Sequence, residues 1–234
     1  MKLSVHDLNS HYGPAHILFD VALEVGEGEV VALLGRNGAG KSTTFRSIVG
    51  LVALRSGRIE FEGKDVSAEP THAIVSRGLG YVPEERRIFT DLTVDENLEV
   101  GRQPVRPNAP HWTREKLFAL FPNLAEMRNR PGGRMSGGEQ QMLTIARTLM
   151  GNPSCVLLDE PSEGLAPIIV EQMGNSIRAL KSEGLSVILC EQNLHFALGV
   201  ADRAYIIEKG QIRFGGSMAE LAADASLREQ YLSV

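Results

Sequence analysis

The chain has 234 residues, 24 of them Lys or Arg and 29 Asp or Glu, for a net charge of −5; 43% are hydrophobic and 23% charged. Those are ordinary globular proportions, which exclude a disordered, collagenous or coiled-coil chain, and at this length roughly three-quarters of the unfolded surface can be buried without staples. Cys155 and Cys190 are too few for a disulfide framework or a structural zinc site, and both sit in apolar runs as small buried hydrophobes. The acidic balance argues against coating of nucleic acid, so none is expected among the partners. No stretch approaches the roughly 18 consecutive apolar residues of a membrane span, and MKLSVHDLNSHYG lacks the charged-then-apolar pattern of a signal segment. A cytoplasmic location is expected.

Apolar residues at positions 3, 5 and 8 open the chain with a half-exposed strand. Glu29 to Leu34 (EVVALL), Cys155 to Leu158 (CVLL) and Ser186 to Cys190 (SVILC) are short apolar runs that suit strands buried on both faces of a parallel sheet. Ser42 to Val49 and Arg114 to Phe121 are helix candidates. Gln103 to Pro110 carries Pro104, Pro107 and Pro110, so it should be an irregular crossing. Met142, Ile145, Ala146 and Leu149 form one helical face, and Ile169, Met173, Ile177 and Leu180 form another after a helix-starting Pro167. Ala204 to Ile207 and Gln211 to Phe214 flank Glu208-Lys209-Gly210 as a hairpin. Strands alternating with helices mean an α/β fold with crossover helices. Residues from about 86 to 135 hold no buried-strand run and are expected to form a helical insertion in a core of about 1–85 and 136–234.

Gly35 to Ser42 reads GRNGAGKS and fits G-x-x-x-x-G-K-[ST] directly after a buried strand and before a helix candidate. Small residues let backbone N–H groups converge on phosphate oxygens, and the helix start adds a favourable dipole. Lys41 supplies a charge for the β- and γ-phosphates, and the Ser42 hydroxyl can ligate Mg²⁺. The strand Cys155 to Leu158 ends in Asp159 and Glu160. In a phosphate-loop protein the first acid serves Mg²⁺ and the second orients or deprotonates the attacking water. Ser136 and Glu139 make a capping box at a helix start, and Gly137 and Gly138 beside it expose a second set of N–H groups. One phosphate loop does not need two such sites on the same nucleotide, so this turn is expected to grip nucleotide held by another subunit.

A phosphate loop, SGGEQ about a hundred residues later and LLDEP shortly after resemble, in that order, the ATP-binding cassette (ABC) ATPases over essentially the whole chain. The resemblance implies a P-loop cassette fold: a mostly parallel sheet, an antiparallel β part and a helical insertion. It implies a head-to-tail pair of subunits sandwiching two Mg²⁺·ATP. The residues it assigns to nucleotide are Gly35, Arg36, Asn37, Gly38, Ala39, Gly40, Lys41, Ser42 and Thr43, with Tyr12 stacked on adenine. Ser136, Gly137, Gly138 and Glu139 would face the partner's γ-phosphate. Ser42, Asp159 and Glu84 would serve the metal, and Glu160 the water. Two positions depart from the general pattern. Glu84 (YVPEERR) stands where the family usually has glutamine; a carboxylate still suits Mg²⁺, and Arg86 or Arg87 would offset its charge. Gln192 (LCEQN) stands where a histidine is usual; its amide can donate to the γ-phosphate but cannot become cationic. His195, three residues later, reads as helix surface.

Glutamate and glutamine occur together at those two places in the LivF-like subgroup, the second ATPase subunit of the high-affinity branched-chain amino acid importers of bacteria. MSGGEQQML, DEPSEGLAPIIV and the ending REQYLSV are similar to that subgroup. Glu85 stands where glycine is frequent there, and Glu163 where leucine is common and the related urea subunits carry Glu. The resemblance implies ATP-driven uptake of branched-chain amino acids, with urea, short amides or other amino acids as the alternative. It also implies a different cassette chain as dimer partner, two membrane permeases, an external solute-binding protein acting indirectly, and a place on the cytoplasmic face of the inner membrane. A soluble repair or translation ATPase fits less well, lacking a long coiled coil or a second cassette. A kinase or GTPase has no use for the serine–glycine turn.

Overall fold

The structure is a computed structural model that describes residues 1–232; Ser233 and Val234, the end of the REQYLSV segment, lie outside the described residues. Two sheets carry it. Strands β1 (Leu3–Tyr12), β2 (Ala15–Val25), β4 (Leu54–Phe61) and β5 (Lys64–Asp65) form an antiparallel sheet in the order β2-β1-β4-β5. Strands β3 (Val30–Leu34), β6 (Leu79–Val82), β7 (Cys155–Asp159), β8 (Ser186–Glu191), β9 (Arg203–Glu208) and β10 (Gln211–Ser217) form the second, in the order β10-β9-β3-β8-β7-β6. All its neighbours are parallel except the β9–β10 hairpin, which turns at Lys209 (φ 48°) and Gly210 (φ 75°). Two successive left-handed residues match the twist of such a hairpin.

Alternation along the parallel strands divides the core in two. Val30, Ala32, Leu34, Val156, Leu158, Val187 and Leu189 face one side. Val31, Leu33, Cys155, Leu157, Ile188 and Cys190 face the other, toward the antiparallel sheet and helix α1 (Lys41–Ile48), which adds Phe45 and Ile48. Both cysteines are therefore buried and unpaired, as their apolar context suggests, and burial pushes the Cys155 thiol up to about 12. The run 3, 5, 8 in β1 is not a simple alternation. The register slips between Val5 and Leu8 where Asp7 adopts φ 48°, so a bulge moves the buried set from odd to even positions and keeps Leu8 and Ser10 inside.

After helix α2 (Thr71–Ser76) and β6, the chain between Val82 and Cys155 is helical: α3 (Val94–Gly101), α4 (Arg114–Leu120), α5 (Pro122–Glu126), a short 3₁₀ turn (Gly132–Arg134) and α6 (Gly137–Leu149). Gln103 to Pro110 holds no regular element. Helix α6 is buried more widely than one apolar face requires: Gln141, Leu143 and Thr144 join Met142, Ile145, Ala146 and Leu149 inside, since α3 and α5 cover its outer side while its other face meets the sheet. Helix α7 (Pro167–Ser182) starts on Pro167 and buries Met173, Ile177 and Leu180. Helices α8 (Leu194–Val200), α9 (Met218–Ala223) and α10 (Ala225–Tyr231) complete the chain. Among the described residues no helix is long and apolar enough to cross a membrane.

Candidate functional site

The parallel register pairs Leu34 with Glu191, Cys190 with Asp159, and Leu158 with Val82. Four strand ends therefore lie at one edge, and the loops that leave them carry Gly35 to Ser42, Glu160 to Glu163, Gln192 and Pro83 to Arg87. Carboxyl ends of parallel strands are where open α/β sheets bind ligands.

The phosphate loop turns onto α1 at Gly40, whose φ of 113° is closed to side-chain-bearing residues and whose Cβ would meet Leu18 Cδ2 at 2.9 Å. No side chain caps α1 and no acid sits in its first turn, so its N–H groups stay open to an anion. Lys41 is only 4% exposed; its Nζ donates to the Gly35 carbonyl (2.9 Å) and the Arg36 carbonyl (3.2 Å) and lies 3.0 Å from Glu160 Oε1. Ser42 Oγ donates to Asp159 Oδ1 at 3.0 Å, and the Tyr81 hydroxyl donates to Asp159 Oδ2 at 3.1 Å. Burial is the main cause that raises the Asp159 carboxyl to about 6 against those two donors. Burial likewise raises the Tyr81 hydroxyl, and a hydrogen bond donated by Arg46 to the Tyr81 oxygen heads the causes that raise Arg46.

Glu160 is 8% exposed, adopts φ 47°, and donates its N–H to the Cys190 carbonyl at 3.1 Å. Burial pushes its carboxyl up, but hydrogen bonds to Glu163 and Lys41 outweigh it, so the group stays ionised to lower pH than usual. Its neighbour Glu163 moves the other way, raised to about 7 chiefly by that shared hydrogen bond and then by burial. Tyr12, Asn37, Gly38, Lys41, Ser42, Thr43, Glu84, Glu160 and Glu163 line one cleft of about 450 Å³.

Glu84 faces this cleft, but neither neighbouring arginine pairs with it. Arg87 Nε lies 3.6 Å from Glu85 Oε2, and Arg46 Nη2 holds Glu85 Oε1 at 3.0 Å. The Arg86 guanidinium instead packs on Gly137, where a Cβ would stand 2.5 Å from Nη1. The expectation that these arginines neutralise Glu84 thus meets different geometry, because the left-handed Arg86 (φ 64°) and Arg87 (φ 47°) turn both side chains elsewhere. Gln192 is exposed and does not line the cleft; it follows β8, the strand beside the one that carries Asp159.

Ser136, Gly137, Gly138 and Glu139 also stay outside this cleft. Ser136 N–H donates to Glu139 Oε2 (2.7 Å) and Glu139 N–H to Ser136 Oγ (3.4 Å), the reciprocal box that starts α6. Gly138 is buried against α7, where a Cβ would meet Ile169 Cγ2 at 2.9 Å. Three participants were not singled out from the sequence: Tyr81, Arg46 and Glu191. Glu191 is 2% exposed and accepts N–H groups from Ser162 (3.1 Å) and Asn193 (3.3 Å), which ties the loop after Glu160 to the end of β8. Burial raises its carboxyl. The only sequence signal for Glu191 is a charge at the end of an apolar run.

An open helix start, a buried lysine, a serine–aspartate pair and a carboxylate beside them define a nucleoside-triphosphate-binding phosphate-loop enzyme. The ABC transporter family model matches residues 18–163, and the chain belongs to that family of ATP-hydrolysing transporter subunits. It is 44% identical over 98% of its length, and 99% of the relative's, to the high-affinity branched-chain amino acid transport ATP-binding protein BraG of Pseudomonas aeruginosa. It is 39% identical over 98% of its length, and 96% of the relative's, to the lipopolysaccharide export system ATP-binding protein LptB of Haemophilus influenzae. Among solved structures it resembles the ADP conformation of an ATP-binding cassette of an ABC transporter (TM-score 0.82, 27% identity, 97% of each chain). A nucleotide-free ATP-binding cassette is similarly close (TM-score 0.82, 26% identity, 97% of each chain).

Proposed function

We propose that this subunit hydrolyses Mg²⁺·ATP to power import of branched-chain amino acids through separate membrane permeases. The convergence of Lys41, Ser42, Asp159 and Glu160 at one strand edge carries the chemical part of this reading. Similarity to BraG over the full length supports the solute, and Glu84 with Gln192 supports the subgroup. The Ser42 hydroxyl and the Asp159 carboxylate, with Glu84 on the same cleft, are hard oxygen donors that suit Mg²⁺. Among the described residues no three His, Cys, Asp or Glu side chains converge as a complete cage, which fits an ion that binds through one or two carboxylates plus substrate phosphates. When bound, that ion neutralises developing phosphate charge.

Lys41 leaves Glu160 to meet the β- and γ-phosphates, while the open start of α1 holds the phosphate oxygens. Tyr12, 45% exposed at the mouth of the cleft, supplies the adenine platform. Glu160 then accepts the proton of the attacking water as its oxygen bonds to the γ-phosphorus and the bond to ADP breaks. Ser136, Gly137 and Gly138 grip the nucleotide of a partner cassette in a head-to-tail pair, with a different cassette chain as partner. Gln192 follows the neighbouring strand and donates to the γ-phosphate once the pair closes. The helical segment 86–135 and the Glu84 loop pass closure to the permeases at the cytoplasmic membrane face. A solute-binding protein outside acts on the permeases and not on this chain.

Glu160→Gln tests the base: ATP binding is retained while phosphate release falls by about 10²–10³-fold. Wild-type turnover in that variant overturns the assignment. Uptake of labelled leucine and labelled urea in cells carrying Lys41→Ala tests the solute. Loss of leucine uptake alone supports the reading, and loss of urea uptake alone replaces it.

A further inference from the structure

Glu191, the last residue of β8, sits where three loops of the strand edge meet. It pairs with Leu34 in the sheet register, and its backbone carbonyl accepts the N–H of Gly35, the first residue of the phosphate loop, at 3.3 Å. It is only 2% exposed, and each of its carboxyl oxygens accepts a backbone N–H from a different loop. Oε1 takes that of Ser162, two residues past Glu160, at 3.1 Å. Oε2 takes that of Asn193, directly after Gln192, at 3.3 Å, so the side chain closes over Gln192. Asn193 is itself held, since its Oδ1 accepts the Phe196 N–H at 3.0 Å and caps α8. Burying a carboxyl group costs free energy that an apolar residue would avoid. The strands do not need it, because β7 and β8 already pair from Cys155 with Ser186 to Asp159 with Cys190. What the Glu191 carboxyl adds lies beyond the ladder, between the two loops.

We propose that Glu191 is a positioning residue for ATP hydrolysis: its carboxyl group joins the turn after Glu160 to the loop of Gln192 and so fixes the spacing between those two residues. This rests on Glu160 as the base and Gln192 as the γ-phosphate donor. Both follow the last paired residues of their strands, Asp159 and Cys190, so the ladder alone does not set where their side chains stand. A water that bonds to Glu160 must lie in line with a γ-phosphate that bonds to Gln192, and a small error in that spacing slows the reaction even when each loop keeps its own shape. Glu191 does not line the nucleotide cleft, so it acts through the two residues and not on the nucleotide. No proton moves in this role, since both carboxyl oxygens serve as acceptors.

The test is steady-state hydrolysis by the purified full chain carrying Glu191→Gln, Gln192→Ala or both, with a melting curve for each. Glutamine matches glutamate in size, but its amide nitrogen donates and cannot accept, so one of the two N–H groups loses its acceptor. Glu191→Gln is expected to lower kcat about tenfold, with KM for ATP within about twofold, because misplaced catalytic groups slow chemistry and not binding. In the Gln192→Ala background no second group remains to be spaced from the base, so the same change is expected to cost less than about threefold. Wild-type kcat in Glu191→Gln, an equal fall in both backgrounds, or a change confined to KM overturns the proposal. Wild-type kcat in Gln192→Ala alone overturns the underlying reading of Gln192 instead, and so identifies which of the two has failed. If Glu191→Gln does not fold, amide hydrogen exchange of the wild-type chain reads the same bridge. The Ser162 and Asn193 N–H groups are expected to exchange about 10²-fold more slowly than in an unfolded chain, and rapid exchange at either overturns the proposal.

Discussion

Helices α1 and α6 both begin at glycine-rich turns, and the chain finishes them in opposite ways. Helix α1 has Gly40 at its start, no capping side chain and no first-turn acid, and Lys41 is buried within reach of two carbonyls and Glu160. Helix α6 satisfies its start with its own residues: Ser136 and Glu139 exchange hydrogen bonds, and an acid sits in the first turn. The first turn therefore leaves its N–H groups open to an anion. The second keeps only the Gly137 and Gly138 N–H groups without intrahelical acceptors, lies against the Arg86 guanidinium at Gly137, and points outside the chain's own cleft. Similar local sequence gives two different helix starts because the neighbouring residues decide which N–H groups stay open.

The largest expected effect breaks the first turn. Lys41→Ala removes the cation whose Nζ is held among the loop carbonyls, and ATP affinity should fall by about 10²-fold or more. Nucleotide titration of the purified chain checks it, and retained affinity would mean that the N–H groups of α1 suffice. The same change leaves Glu160 buried without its cation, so the Glu160 carboxyl should also lose part of its downward shift.

A change at the second turn sharpens the contrast. Ser136→Asp preserves a good N-cap, so the melting temperature should stay close to wild type. It places a negative charge where a partner's phosphate would lie, so hydrolysis should fall about tenfold or more while ATP binding by a single chain is unchanged. Loss of single-chain binding would show that the turn serves the chain's own nucleotide. Gly138→Ala acts through packing: its Cβ would press on Ile169 Cγ2 at 2.9 Å, and about 1–3 kcal/mol of stability should be lost in a denaturant titration.

The unequal legibility of these parts has a physical cause. The phosphate loop, the buried runs and the capping box are local patterns, and each is met by the structure within a residue or two: β3 begins at Val30, α1 at Lys41 and α4 ends at Leu120. What sequence reading left unassigned depends on strand register. Tyr81 reaches Asp159 because β6 lies beside β7, although 78 residues separate them. Arg86 covers Gly137 only because two left-handed residues redirect its loop. The bulge at Asp7 hides in a run that looks like irregular alternation, and the wide burial of α6 is set by helices α3 and α5 from outside its own pattern.

The smallest expected effect concerns proton occupancy beside the first turn. The Glu163 carboxyl is raised to about 7, first by its hydrogen bond to Glu160, then by burial and by the charges of Glu160 and Glu84. A raised carboxyl carries its proton below that value and loses it above. Below pH 7 the O–H can donate to Glu160; above it, two adjacent carboxylates repel, and the nearby Lys41 is drawn back toward Glu160 and away from the phosphates. Wild-type kcat should therefore decline by about two- to threefold from pH 7 to 9, on the alkaline side and not the acid side. Glu163→Gln cannot titrate, so its profile over that range should be flat. An alkaline decline of the same size in both proteins would assign it to another group.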